Sequence, residues 1–244
     1  MGRFFNREAA AVAAGLLVAG VAVGLIAGLK PWVVVAIAVG LVALLHWPVT
    51  LSFQSWILEY YVGHGNLQRA LELAIEIRDS AMIRREREKA HINVAFVHLA
   101  RADYEHALQN LNPVVTSSLK PATKAVVDAT TGYALAYLER DLGRAETLIQ
   151  SSIASVPTEP LFGFFLAVVR LKQNRLQEAK SLILESLEAE PDPKLPNPGE
   201  RQYVLAKVLE ALGDGAGAKA QLEKASAMRG HFAQLAAQEL SAAA

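Results

Sequence analysis

The sequence predicts an all-α protein in two parts: a transmembrane helical hairpin, then an α-solenoid of helix–turn–helix units. Three observations carry that prediction. Two long apolar runs occupy residues 9–29 and 32–47. A six-residue phrase recurs five times between Gly65 and Ala218. From Leu51 onward there is neither β-branched alternation nor an Asn-Gly hairpin signal.

The first run, Ala9 to Leu29, holds 21 residues without a charge or a strongly polar group. As a helix it is about 31 Å long, one hydrocarbon core. Lys30-Pro31 interrupts it, and Trp32 to Trp47 follow, broken only by His46. That second run makes about 24 Å of helix. Pro31 suits the first turn of a new helix and Pro48 its end. Trp32 and Trp47 bracket the run as aromatic residues do at the two water interfaces. A cleaved signal peptide is the competing reading, since Arg3 and Arg7 give a basic start. The run exceeds a signal core, however, and no small-x-small site precedes Lys30.

Residues 1–49 are therefore expected to form a hairpin, and residues 50–244 a separate domain. A hairpin leaves both ends on one side of the membrane. Arg3 and Arg7 in the tail outnumber Lys30 in the link, which points to the cytoplasmic side. Gly20, Gly24 and Gly28 recur on one face of the first span, and Ala36 and Gly40 on the second. Small residues at that spacing let helices approach closely, closing the hairpin or joining copies of it.

The recurring phrase is a turn residue, a polar residue, an apolar residue, two variable residues and alanine. It stands at Gly65–Ala70, Ala102–Ala107, Arg140–Ala145, Asn174–Ala179 and Gly213–Ala218. The alanines are 37, 38, 34 and 39 residues apart. Seven residues after each comes Ile77, Val114, Ser152, Ser186 or Ala225, and Pro157 and Pro191 lie twelve past theirs. The pattern resembles the tetratricopeptide (TPR) repeat, a helix–turn–helix unit of about 34 residues. The resemblance covers roughly residues 51–230. It implies first helices near 52–62, 87–100, 126–139, 161–173 and 200–212. Second helices fall near 67–79, 104–111, 142–154, 176–190 and 216–228. Residues 231–241 read as a terminal capping helix, and the prolines of 192–199 as a stiff loop.

A repeat solenoid offers a concave surface lined by first helices. On the TPR register the inward residues are Ile92, Phe96 and Leu99 in the second unit and Thr130, Ala134 and Tyr137 in the third. The fourth gives Phe164, Val168 and Leu171, and the fifth Tyr203, Lys207 and Glu210. This apolar, aromatic groove suits an amphipathic helix or apolar peptide of a protein partner. The clamp of lysines and asparagines that TPR domains use for acidic chaperone tails is absent from these positions. The function expected is a membrane-anchored scaffold or adaptor that organises or assembles a complex at a bacterial inner membrane, with its repeats in the cytoplasm. The alternative is a stoichiometric subunit packing through its spans, and oligomerisation stays open.

Other classes fare poorly. A formal charge of zero, from 24 basic and 24 acidic residues, argues against nucleic acid. The chain has no cysteine, which excludes disulfides, thiolate metal sites and a thiol nucleophile. No Walker loop, dinucleotide fingerprint or nucleophile elbow occurs, so no enzyme and no cofactor is expected. The histidines are His46, His64, His91, His98, His106 and His231. None stands in a standard metal motif, so no metal is expected. The mixed-sign run Arg84–Lys89 reads as a solvated helix face.

Overall fold

The computed structural model describes residues 57–58, 60–81, 83–189, 197 and 199–242. The spans expected at 9–29 and 32–47, with Gly20, Gly24, Gly28, Ala36 and Gly40, lie outside the described residues, as does most of the loop at 192–199. The chain divides into two compact units, Met1–Glu59 and Tyr60–Ala244. Among the described residues no helix is long and apolar enough to cross a membrane.

Among the described residues the second unit is helical throughout, with one 3-10 turn at Thr116–Ser118. Its helices are α1 Leu67–Ser80, α2 Arg84–Ala100, α3 Tyr104–Leu111, α4 Pro121–Tyr137 and α5 Leu142–Ser155. They continue as α6 Pro160–Lys172, α7 Leu176–Ala189, α8 Glu200–Ala211, α9 Gly215–Ser226 and α10 His231–Ala242. Ahead of α1, residues 57–58 and 60–63 are helical. Helices pair in order: α2 with α3, α4 with α5, α6 with α7, α8 with α9. First helices also pack on the next unit, as α4 does on α6. This is the TPR-like order of helix pairs expected from the sequence.

The repeated alanine shows why the pairs close. Ala70, Ala107, Ala145, Ala179 and Ala218 are buried, as are Ile77, Val114, Ser152, Ser186 and Ala225 seven residues later, none more than 7% exposed. A small side chain at the crossing lets two helices approach, and an apolar or small residue two turns on continues the seam. Gly132 on α4 serves the same crossing from the other side, because a Cβ there would lie 2.7 Å from the Ala145 carbonyl oxygen.

Each turn between first and second helix is built alike. The N–H groups of Asn66, Asp103, Arg140, Arg175 and Asp214 donate to the carbonyls of Tyr61, His98, Leu135, Arg170 and Leu209, five residues back, at 2.8–2.9 Å. The residue before each donor is left-handed: Gly65, Ala102, Glu139, Asn174 and Gly213, with φ from 52° to 83°. That is the usual way a helix ends while satisfying its last carbonyls. A cap then starts the next helix. Asn66, Asp103, Asp141 and Asp214 each accept the N–H three residues on. In the third copy one extra residue, Arg140, separates turn from cap, and Asp141 absorbs it with φ of 44°. This insertion puts the 38-residue spacing one above its predecessor.

Two helices start more than one residue earlier than the repeat register implies. α4 begins at Pro121, whose missing N–H is harmless at the first helical position. α2 begins at Arg84, inside the run read as a solvated face. Within that run Glu88 is buried, paired with Arg84 at 3.1 Å and accepting from Ser118 Oγ at 3.3 Å.

Candidate protein-binding cavity

The concave side of the second unit narrows to a cavity of about 340 Å³. First helices α4, α6 and α8 supply Tyr137, Val168, Leu171, Lys172, Tyr203, Val204 and Lys207. The turn before α3 adds Ala102 and Tyr104, and α10 adds His231, Phe232 and Leu235. Its walls are mostly apolar, with lysine and histidine at the edges. The volume lies at the low end for ligand pockets and suits one or two inserted side chains.

Beside it lies a buried polar knot. Tyr133 and Tyr137 both donate from their hydroxyls to Glu200 Oε1, although α6 runs between the helices that carry them. Glu200 opens α8, where the helix dipole favours a carboxylate. Tyr104 stacks flat on Tyr137, ring centroids 4.2 Å apart, and Tyr133 stacks on Phe165 at 4.1 Å. Burial and the Glu200 charge push all three tyrosine hydroxyls well above the ordinary phenol range. They stay protonated: Tyr133 and Tyr137 act as donors to Glu200, and Tyr104 acts as a packing surface.

The opposite rim is charged. Tyr203 donates to Glu239 at 2.7 Å, and Lys207 pairs with Glu239 at 2.8 Å and Glu210 at 2.9 Å. Burial, then the bond to Glu239, raises the Tyr203 hydroxyl to about 12. Burial disfavours the Lys207 charge, but the bonds to Glu239 and Glu210 win and hold it above the usual lysine value. Lys172 pairs with Glu139 at 2.7 Å.

The expected groove residues divide. Tyr137, Val168, Leu171, Tyr203 and Lys207 line the cavity. Ile92, Leu99, Thr130, Ala134 and Phe164 do not: each is buried in the packing between helices. Phe96 is partly buried against that core, away from the cavity lining. The reason is geometric. A first helix is flanked by its own partner and by first helices on both sides, so most of its circumference is core. α6 is apolar nearly all round, from Phe162 to Val169. A one-residue change in register therefore trades groove for core without altering the apolar pattern.

Sequence reasoning missed Tyr104 and the α10 residues. Phe232 is buried, its ring 5.4 Å from Tyr203 and 6.1 Å from Tyr137. The expected capping helix thus also walls the concave side, packing on α8 as well as α9. Phe232, Leu235 and Ala236 fall at helical spacing, a signal that α10 has an apolar face.

Three titratable side chains gather where no metal motif marked them: His98 lies with Asp103 and His106, across the α2–α3 turn. Its Nδ1 lies 3.0 Å from Asp103 Oδ2, and His106 Nδ1 lies 2.8 Å from Asp103 Oδ1. Burial is the main influence on His98 and lowers its pKa. Burial opposes the Asp103 charge, but hydrogen bonds from His106 and His98 keep its carboxyl below the usual range.

No protein-family model matches the chain, and no curated protein matches it. Solved structures similar to it include a Podosopora anserina protein described as a kinesin light chain with nearly identical TPR-like repeats. That likeness has 19% identity over 74% of this chain and 94% of the other, with a TM-score of 0.49. MamA of AMB-1 is similar at 16% identity over 71% of this chain and 95% of the other, TM-score 0.44. MamA 41-end from Desulfovibrio magneticus RS-1 is similar at 12% identity over 72% and 92%, TM-score 0.43. The helix pairing described above stands on the chain's own packing.

Proposed function

We propose that the protein is a membrane-anchored TPR scaffold. The apolar runs at 9–29 and 32–47 tether it to a bacterial inner membrane, and the repeats work on the cytoplasmic side. The concave cavity receives one or two apolar side chains of an amphipathic segment of a protein partner. The protein thereby organises or helps assemble a membrane-associated complex.

The observation that supports this most is the cavity itself. It offers aromatic and aliphatic walls from three first helices and a rim of paired lysines, with no nucleophile–base arrangement in its lining. A rigid apolar recess with a polar rim is how anchoring side chains are held at interfaces. The tyrosine hydroxyls beside it are held protonated and satisfy Glu200, which suits a fixed wall.

The test uses the full chain in native membranes extracted with mild detergent. Leu171→Asp places a charge in the cavity wall and should reduce partner recovery by about tenfold or more, about 1.4 kcal/mol. Circular dichroism and thermal midpoint monitor the fold. Full recovery with a folded Leu171→Asp variant would remove the cavity as the binding surface. Impermeant labelling of cysteines placed at Gly2 and Ala244 checks the hairpin, which requires both on one side of the membrane.

A further inference from the structure

The α2–α3 turn carries a cluster that protein binding leaves unused. His98 lies in the last turn of α2, Asp103 caps α3, and His106 follows in its first turn. The two imidazoles stack, ring centroids 5.2 Å apart and planes 20° from parallel. One ligand atom from each of the three residues lies within 4.8 Å of the others.

The repeat separates what is structural here from what is not. At the capping place three of the other four copies have Asn66, Asp141 and Asp214, each accepting the N–H three residues on, and the fourth has Arg175. Capping therefore accounts for Asp103. It does not account for the imidazoles. Where His98 stands, with its carbonyl accepting the turn bond, the other copies have Tyr61, Leu135, Arg170 and Leu209. Where His106 stands, they have Arg69, Arg144, Glu178 and Gly217. The turn forms equally well with all of these, so it requires neither histidine.

We propose that His98, Asp103 and His106 bind a divalent late first-row transition metal of the Zn²⁺ type, with water completing the coordination. Two imidazole nitrogens and one carboxylate oxygen are the donors such an ion prefers, whereas Mg²⁺ and Ca²⁺ want an all-oxygen set. The frame is fixed before the ion arrives. His98 is buried in α2, and the Asp103 N–H is bonded to the His98 carbonyl at 2.9 Å. Asp103 and His106 reach solvent, which gives the ion its entry. To bind through Nδ1, an imidazole must have that nitrogen free of its proton, which passes to Nε2 or to solvent and leaves a lone pair for the ion. Asp103 turns from accepting the imidazole N–H groups to ligating the ion, and one oxygen still caps α3. The bound ion would clamp the α2–α3 turn. No thiolate elsewhere in the chain competes for it, since the chain has no cysteine.

The test is metal titration of the full chain in detergent, stripped beforehand with a chelator. Zn²⁺ alone is titrated by calorimetry with the thermal midpoint followed in parallel. Co²⁺ reports ligand geometry through its visible absorption. One equivalent should bind, raise the midpoint, and be reversed by chelator. His98→Asn with His106→Asn should weaken binding by more than the roughly 10–100-fold that loss of a supporting partner alone causes. Asp103→Asn keeps a capping side chain, as Asn66 shows, so it should lower affinity with the helical signal unchanged. His91→Asn, two turns away on α2, should leave binding as it was. Absence of saturable Zn²⁺ uptake by the intact chain overturns the proposal, as does equal uptake by the double-histidine variant.

Discussion

Gly132 sits at a helix crossing that tolerates no side chain. A Cβ would lie 2.7 Å from the Ala145 carbonyl oxygen and 2.8 Å from Ile149 Cγ1. Backbone cannot yield there as a flexible side chain would, so Gly132→Ala should destabilise by about 1–3 kcal/mol, read from the urea midpoint. Ala145→Leu strains the same crossing from α5 and should cost a similar amount, about 1–3 kcal/mol. If neither moves the midpoint, the pairing of α4 with α5 is misplaced. Glu146 shows a different kind of residue-scale control. It accepts from Gln173 Nε2 at 2.8 Å and pairs with the buried Arg170 at 2.6 Å. The bonds from Gln173 and Arg170 hold its carboxyl below 4.5, the ordinary value. A carboxyl depressed in the folded state gives stability that is present above its unfolded pKa. That stability is lost as pH falls through the folded value. Glu146→Gln should therefore flatten the acid side of the stability curve below about pH 4.5 while changing its neutral part less. An unchanged acid limb would show that the pair contributes nothing measurable.

At the scale of elements, α6 and α10 carry the lesson. Phe164 is fully buried on α6, whereas Leu171, two turns on, is partly buried and faces the cavity. Phe164→Ala should cost about 3–5 kcal/mol. Leu171→Ala should cost well under half of that, because its side chain leaves no enclosed void. Equal losses in thermal melts would mean that the two faces of α6 are wrongly distinguished. The helix ends were legible in the sequence because turn and cap chemistry repeats: Asp103, Asp141 and Asp214 each precede a helix, and Gly65 and Gly213 each close one. The groove was less legible. Periodicity says which residues are apolar, and on α6 nearly all are, so it cannot tell a residue packed on α4 from one facing the cavity. Thr130 and Ala134 hold inward positions of the repeat register and are core; Tyr104 and Phe232 lie off that register and line the cavity. Contacts between distant copies, such as Tyr133 and Tyr137 with Glu200, leave no local mark in a sequence at all.

For the molecule as a whole, the described part of the second unit is tied across its ends. Arg229 donates to the Gly63 carbonyl, and Asn197 Nδ2 to the Leu99 carbonyl at 2.9 Å. These bonds join residues 166 and 98 positions apart. Distant copies are therefore joined by side chains as well as by stacking of neighbours. Asn197 is buried, and the Leu99 carbonyl also accepts from Ala102 N–H, so Asn197→Ala removes one bond and should cost about 0.5–1.5 kcal/mol in urea melts. A cost near zero would show that stacking alone holds these copies together. The central claim is that this cavity is where a partner docks, and site-specific photo-crosslinking in native membranes tests it most directly. A photoreactive residue at Leu171 faces the cavity, and one at Leu184 lies on the exposed face of α7. Capture of a defined protein adduct from position 171, lost when Tyr203→Asp is added, with none from position 184, is the result predicted. Adducts from position 184 alone would contradict the claim and move the binding surface to the second helices.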